Sequence, residues 1–257
     1  MHPLKKVENT TKMKLAKNQT TIGLFHVSNN SMIAEACSTL PIDWIMIDLE
    51  ASTASKESTL HILQALSGTN VTPLVRIPFL KKHYIESFLD LGAHGILVPK
   101  IESREEAQEL VDSFYYPPNG KRGINPIRAT GYFSNTNTYL DEANKNLLCM
   151  IQIETLKGIE NIKDIASVQG IDVIFIGCGD LASDLGTPGD FTSQEFNEAL
   201  NKILDETLKS GKIPGIFAYN IEFAKQYAQQ GFKFIAIGNE IKSLTNGIEN
   251  DIQEFFK

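Results

Sequence analysis

Eight short apolar runs alternate with helix-length stretches along this chain, and that rhythm restricts the fold more than any other feature. The runs are Thr21 to Val27, Asp43 to Leu49, Thr72 to Ile77, Gly95 to Val98, Leu147 to Ile153, Val173 to Ile176, Ile213 to Ala218 and Phe232 to Ile237. Helical spacing follows each of them. The first helix is capped by Asn30 or Ser31 and runs to Leu40, and the next spans Lys56 to Leu66. Lys82 to Leu91 and Ser103 to Phe114 come next, the latter opened by Ser103 and Glu106 as a capping box. Later helices cover Thr138 to Lys145, a stretch through Ile159, Ile162 and Ile165 closed by Gly170, Phe196 to Lys209, and Ile221 to Gln230 ended by Gly231. Ile241 to Phe256 closes the chain, within a terminal segment 240–257. Parallel strands need a crossover of about this length, so eight alternating units predict an α/β fold, a (β/α)8 TIM barrel. No composition break marks a linker, so residues 1–257 are expected to form one barrel domain with an extra N-terminal segment, the polar lead-in 1–20. The competing architecture, an open doubly wound sheet, lacks a G-x-G-x-x-G after its first strand.

Length alone leaves two small domains open, but the bulk chemistry is that of an ordinary globular chain: 42% hydrophobic and 21% charged residues. The formal net charge is −7, with no Lys/Arg-rich block, which argues against a nucleic-acid partner. No apolar run approaches bilayer-spanning length, and the charged N-terminus lacks the apolar centre of a signal peptide. Cys37, Cys149 and Cys178 are odd in number and widely spaced, as expected of a reduced cytoplasmic protein.

A barrel places its chemistry at the carboxyl ends of its strands. Asp48, Glu50, Arg76, Glu154 and Asp180 all fall there. Glu154 and Asp180 end adjacent parallel strands, so their carboxylates converge, and with water in the remaining positions they suit a hard divalent cation such as Mg²⁺ or Mn²⁺. Gly177, in the Gly177-Cys178-Gly179-Asp180 loop, permits close approach of a substrate. The bland reading, a helix cap for Glu154 and a turn residue for Asp180, is favoured for either residue alone but not for the pair. Arg76 can grip a carboxylate or keto oxygen and stabilise a developing enolate; a structural ion pair with Asp48 or Glu50 is compatible with that role. Lys100 is a weak candidate for a Schiff base. Cys178 lacks a positioned histidine and reads as a small loop residue.

Six stretches, DWIMIDLE, LVRIP, LDLGAHGILVPKIESREEA, YYPPNGKRG, IQIET and GCGDLA, occur in this order. Together they resemble the HpcH/HpaI aldolase family of the pyruvate/phosphoenolpyruvate barrel superfamily, from about Thr21 to Gly238. The resemblance implies a class II aldolase acting on a 2-oxo acid such as pyruvate or oxaloacetate. It also implies a divalent ion on Glu154 and Asp180, an enolate stabilised by Arg76, and Asp48 in acid/base work. One position departs from the family pattern. Where the family motif reads D-x-E-H, this chain has Asp48-Leu49-Glu50-Ala51, and a methyl group cannot move a proton. A metal-bound water can serve as base, or another histidine can substitute: His26 at the end of the first strand, or His94 before the fourth. Or the reaction differs. A siderophore-associated branch resembling these aldolases makes citrate from oxaloacetate and acetyl-CoA, apparently without metal or other cofactor, by a Claisen condensation. A third reading is an inactive barrel with a binding or regulatory role, which the joint presence of Arg76, Glu154 and Asp180 opposes.

Between Tyr115 and Asn137 the rhythm lapses into a segment with three prolines, three glycines and two arginines. A loop of this length is usually functional. Its arginines are the obvious cations for an anionic substrate, with Arg128 expected to bind substrate and Arg122 to anchor the loop. The resemblance further implies a homo-oligomer, from dimer to hexamer and often a trimer of dimers, with the closing helix on a neighbouring subunit. The apolar face Ile241, Leu244, Ile248, Ile252, Phe255 and Phe256 suits that role.

Overall fold

In the computed structural model, which describes residues 8–257, every one of the eight apolar runs is a strand, and the strands close on themselves. In chain order these are β1 (Thr21–His26), β2 (Trp44–Asp48), β3 (Thr72–Arg76), β4 (Gly95–Val98), β5 (Leu148–Ile153), β6 (Val173–Ile176), β7 (Ile213–Phe217) and β8 (Phe234–Asn239). Each pairs in parallel with the next, and β8 returns to β1, where the register shifts between Gly23 and Phe25. The fold is the expected (β/α)8 barrel.

The helices are α1 (Thr10–Ala16), α2 (Ser31–Ser38), α3 (Lys56–Ala65), α4 (Lys82–Asp90), α5 (Arg104–Phe114) and α6 (Thr136–Asn146). They continue with α7 (Leu156–Glu160), α8 (Ile162–Ala166), α9 (Cys178–Asp184), α10 (Gln194–Lys209), α11 (Ile221–Gln230) and α12 (Glu240–Phe255). Starts follow local chemistry: Asn30, Ser55, Ser103, Thr155, Ser193 and Asn220 each accept a backbone N–H in the first turn. Two helices escape the sequence reading. The Gly177–Asp180 loop is in fact the start of α9, which puts Asp180 in a first helical turn.

The other is α1, inside the lead-in 1–20, whose first seven residues lie outside the described residues. Leu15 of α1 is buried among the inward-facing residues of the barrel. The Asn9 amide donates to the carbonyl of His94 (3.0 Å), Thr11 Oγ1 to that of Asp43 (3.0 Å), and Lys12 Nζ to that of Leu147 (2.7 Å). Lys12 also pairs with Asp172 at 2.9 Å. All four partners directly precede a strand, so α1 closes the amino-terminal end of the barrel.

Side chains inside the barrel alternate with those packed under the helices, as the pleat requires. Trp44, Met46, Leu74, Leu97, Met150, Phe175 and Phe234 fill the interior, and their neighbours Ile45, Ile47, Val75, Ile96, Ile151 and Ile174 face the helical layer. Trp44 stacks on Phe234 at 4.1 Å with planes 5° apart. The indole fits because β1 carries Gly23 beside it, where any Cβ would overlap the ring.

Because Leu15 is the apolar plug of the closed end, Leu15→Ala should cost roughly 2–4 kcal/mol. Thermal unfolding should register this as a loss of several degrees, with the kinetics of the surviving protein unchanged.

Candidate active site

The opposite end of the barrel holds a cavity of about 250 Å³ with a charged wall. Asp48 and Arg76 end the paired strands β2 and β3 in direct register, both on the inward parity, so their side chains meet over the interior. Arg76 Nε donates to Asp48 Oδ1 at 2.9 Å and Nη2 to Oδ2 at 2.6 Å, a bidentate pair. Glu50 Oε2 lies 2.7 Å from Nη1, and the guanidinium sits over the Phe25 ring at 4.9 Å. Asp48 is fixed further by the N–H groups of Glu50 (3.0 Å) and Ala51 (3.3 Å). Burial works against the Arg76 charge, but Asp48, Glu50 and Glu154 more than offset it, so the guanidinium stays protonated.

Glu154 follows β5 and is 1% exposed. Its Oε1 accepts from the Lys100 N–H at 3.1 Å, and Oε2 accepts from Gln152 Nε2. Lys100 adopts φ 53°, a left-handed conformation uncommon outside glycine, and in it presents this N–H to the carboxylate. Burial pushes the Glu154 carboxyl up to about 7; Gln152 and Arg76 oppose the rise, and Glu50 and Asp180 add to it. Glu50 is also raised, first by burial and then by Asp48 and Asp180. Gly177 is required here, since a Cβ would overlap Glu154 Oε2 and stand 2.5 Å from Gln152 Nε2. Asp180, by contrast, is exposed and lines the cavity.

Among the described residues no three His, Cys, Asp or Glu side chains form a ready-made metal cage. A cation would therefore rest on two carboxylates, buried Glu154 and open Asp180, which fits a hard ion that keeps water and substrate oxygens in its shell. Gln152 Oε1 agrees with this. It is a buried acceptor with no donor among the described residues, on a residue that lines the cavity. Sequence reasoning passed over Gln152, although its inward parity two residues before Glu154 was available as a signal.

Three expected residues stand elsewhere. His26 ends β1, but on the outward parity beside inward Phe25; its Nδ1 lies 3.2 Å from Glu240 Oε1 behind the barrel wall. It is withdrawn as the substitute base, because a strand end alternates its side chains in the same way as the strand itself. His94 precedes β4 at the closed end, and burial, with Arg128 adding, lowers its imidazole to about 4. Arg128 also lies at that closed end, which corrects its assignment to substrate. Its Nη2 donates to the Leu63 carbonyl (3.1 Å) and Ser67 Oγ (2.8 Å), and its Nη1 to the Leu91 carbonyl (2.5 Å). Those carbonyls end α3 and α4, so the buried cation is balanced by two helix C-termini. Arg122 is buried against Asp90 at 2.6 Å and the Tyr116 ring at 4.4 Å, an anchoring arrangement. Lys100 is exposed at the rim, and burial pushes the Cys178 thiol up to about 12, far from nucleophilic range.

The family model for HpcH/HpaI aldolase/citrate lyase matches residues 21–247. The chain belongs to this family. A 5-keto-4-deoxy-D-glucarate aldolase of Shigella sonnei (strain Ss046) is 33% identical over 233 residues, 91% of each chain. Among solved structures, a family member from Burkholderia cenocepacia J2315 superposes with a TM-score of 0.93 at 27% identity, covering 97% of this chain and 100% of that one. The citrate synthase SbnG superposes with a TM-score of 0.86 at 24% identity over 98% and 100% of the chains, a likeness of fold alone. Family membership makes this an enzyme of the aldolase type, a carbon–carbon lyase.

Two outcomes test the geometry. A carboxyl raised from 4.5 to about 7 on folding is uncharged in both states at low pH, so its burial cost appears only as pH rises through that window and is complete above it. The full cost is about 3 kcal/mol. In chelator, Glu154→Gln should therefore gain melting temperature over the parent at pH 8.5 and gain little at pH 5; equal gains at both would remove Glu154 as the titrating group. Arg128→Ala should lower melting temperature by several degrees while leaving KM within roughly twofold, and a large rise in KM in folded protein would return Arg128 to the substrate.

Proposed function

We propose that this chain is a divalent-metal aldolase that cleaves a 4-hydroxy-2-oxo acid into a 2-oxo acid, such as pyruvate, and an aldehyde. The name of the relatives at about a third identity directs the choice toward a sugar-acid substrate such as 5-keto-4-deoxy-D-glucarate. One observation carries the reading: the guanidinium of Arg76 and the carboxylates of Glu154 and Asp180 serve one barrel mouth. Glu154 and Asp180 would hold Mg²⁺ or Mn²⁺, which when bound supplies Lewis-acid stabilisation of the enolate. Asp48 fixes the plane of Arg76, and the Nη N–H bonds left over from the Asp48 and Glu50 contacts are free for a keto or carboxylate oxygen of the substrate. Phe25, Phe175 and Phe217 wall the cavity and keep water from the reacting carbons. Gly177 lines the same cavity, and its missing side chain leaves room for Glu154 and Gln152 beside the substrate.

Ala51 in the cavity wall favours one second reading, a metal-independent Claisen condensation of oxaloacetate with acetyl-CoA, because that reaction has less use for a histidine there. Incubation with oxaloacetate, with and without acetyl-CoA and with and without chelator, separates the two. Pyruvate formation that needs Mg²⁺ or Mn²⁺ is expected; metal-independent release of free thiol would replace the aldolase with a citrate synthase. Arg76→Ala should reduce kcat on the order of 10²–10³-fold, the range for loss of an enolate-stabilising donor. Normal turnover by that variant, or no turnover by the parent, would sink the reading, and the latter would leave an inactive barrel with a binding role.

The enzyme is proposed to work as a homo-oligomer. Helix α12 exposes Leu244, Ile248, Ile252, Phe255 and Phe256, the last two at 83% and 80%. A contiguous apolar face of that kind along one helix suits a neighbouring subunit. Sedimentation should show more than a monomer, and Ile248→Glu with Ile252→Glu should shift the mass downward. Three free cysteines fit a reduced, cytoplasmic setting.

A further inference from the structure

Aldol chemistry must deliver a proton to, or take it from, the oxygen of the aldehyde carbon, and most donors lining the cavity are committed. Arg76 serves Asp48, Glu50 and the 2-oxo acid and stays protonated, Gln152 Nε2 serves Glu154, and the Cys178 thiol lies 3.3 Å from the Phe217 carbonyl. Ala51 has no proton to give, and the Asn239 amide can donate a hydrogen bond but not a proton. Tyr219 is different. It lies two residues beyond β7 on the inward parity of Phe217, lines the cavity, and among the described residues its hydroxyl has no hydrogen-bond partner.

That hydroxyl is held in place. The ring stacks on Phe191 at 4.4 Å with planes 11° apart, meets Phe217 edge-on at 5.0 Å, and its backbone carbonyl accepts from Lys242 Nζ at 2.9 Å. The bare Cα of Gly179 makes room for the oxygen, since a Cβ there would stand 2.6 Å from Tyr219 Oη. Gly179 directly precedes Asp180, so the hydroxyl borders the part of the cavity that Asp180 lines.

We propose that Tyr219 is a catalytic residue of the aldol step, its hydroxyl touching the oxygen of the aldehyde partner and exchanging a proton with it. The inference rests on the aldolase reading above. In the condensation direction the enolate carbon attacks the aldehyde carbon, the C=O π pair moves onto the aldehyde oxygen, and that oxygen takes the proton from Tyr219 Oη. Water returns a proton to the phenolate. In cleavage the same group works as a relay: Tyr219 Oη takes the proton of the aldol hydroxyl as its own proton passes to water, so no free phenolate is needed at the start. Burial, with Cys178 and Asp180 nearby, holds the phenol above its ordinary value against the opposing pull of Arg76, which keeps it in the donating form and brings it nearer the range of the aldol hydroxyl.

The test is Tyr219→Phe in the full-length chain with Mg²⁺, using two reactions that share the enolate and differ in the aldehyde. Oxaloacetate decarboxylation forms a pyruvate enolate with no aldehyde; cleavage of 5-keto-4-deoxy-D-glucarate or 4-hydroxy-2-oxobutanoate releases one. The variant should lose about 10²-fold in kcat for cleavage with KM within roughly threefold, and keep decarboxylation within roughly threefold of the parent. Equal losses in both reactions, an effect confined to KM, or no loss at all would overturn the role. A parent protein inactive in both reactions would instead overturn the aldolase reading itself, a result visible before any variant is made.

Discussion

Closing eight parallel strands into a ring leaves each strand residue only two environments, and most of this protein follows from that division. One parity points into a space just wide enough to be filled by Leu15, Trp44, Leu74, Met150, Phe175 and Phe234. The other parity packs under the helices. At the carboxyl ends of β2, β3 and β5 the inward parity turns polar, with Asp48, Arg76 and Gln152 in place of apolar residues and Glu154 continuing β5. The wall of the candidate site is thus the top layer of the barrel core with its chemistry changed. Its positions are as rigid as the core beneath it.

That rigidity lets the mouth hold an unfavourable charge distribution. Asp48, Glu50 and Glu154 act on one guanidinium with Asp180 near the last two, and the imbalance appears as raised carboxyls at Glu50 and Glu154. A folded chain keeps such a cluster only where packing and hydrogen bonds over-determine it. Here Gln152, the Lys100 N–H in its left-handed conformation, and the glycine at 177 together hold Glu154 in place. A divalent cation of the kind proposed for Glu154 and Asp180 would relieve the imbalance.

The other end of the barrel is devoted to stability. Helix α1 closes it with Leu15 and a set of hydrogen bonds to residues that precede strands, and Arg128 ties the C-termini of α3 and α4 together nearby. An arginine without a carboxylate partner invites a substrate role. Two helix ends provide the negative potential that balances it instead. The candidate site and the stabilising contacts of the closed end thus lie at opposite ends of the strands, the division usual in barrels.

Much of this was legible in the residues alone. Eight apolar runs with helical spacers dictated the barrel, because parallel strands joined by helices have few other ways to bury both faces. The strand-end positions of Asp48, Arg76 and Glu154 placed them at the mouth, since topology alone brings parallel carboxyl ends together. What the residues did not disclose depends on direction and on distance through space. His26 occupies a strand end as good as that of Asp48, yet points outward, because the pleat, not the strand end, decides where a side chain goes. Arg128 lies in a loop with no period, so only the packed structure could show which end of the barrel it reaches. Helix α1 is too short and too polar to announce itself, and it forms because the open end of the barrel supplies partners for Asn9, Thr11, Lys12 and Leu15. The placement of the Tyr219 hydroxyl is likewise a product of three-dimensional packing: a ring held by Phe191 and Phe217, and a space left by Gly179, which no linear spacing encodes.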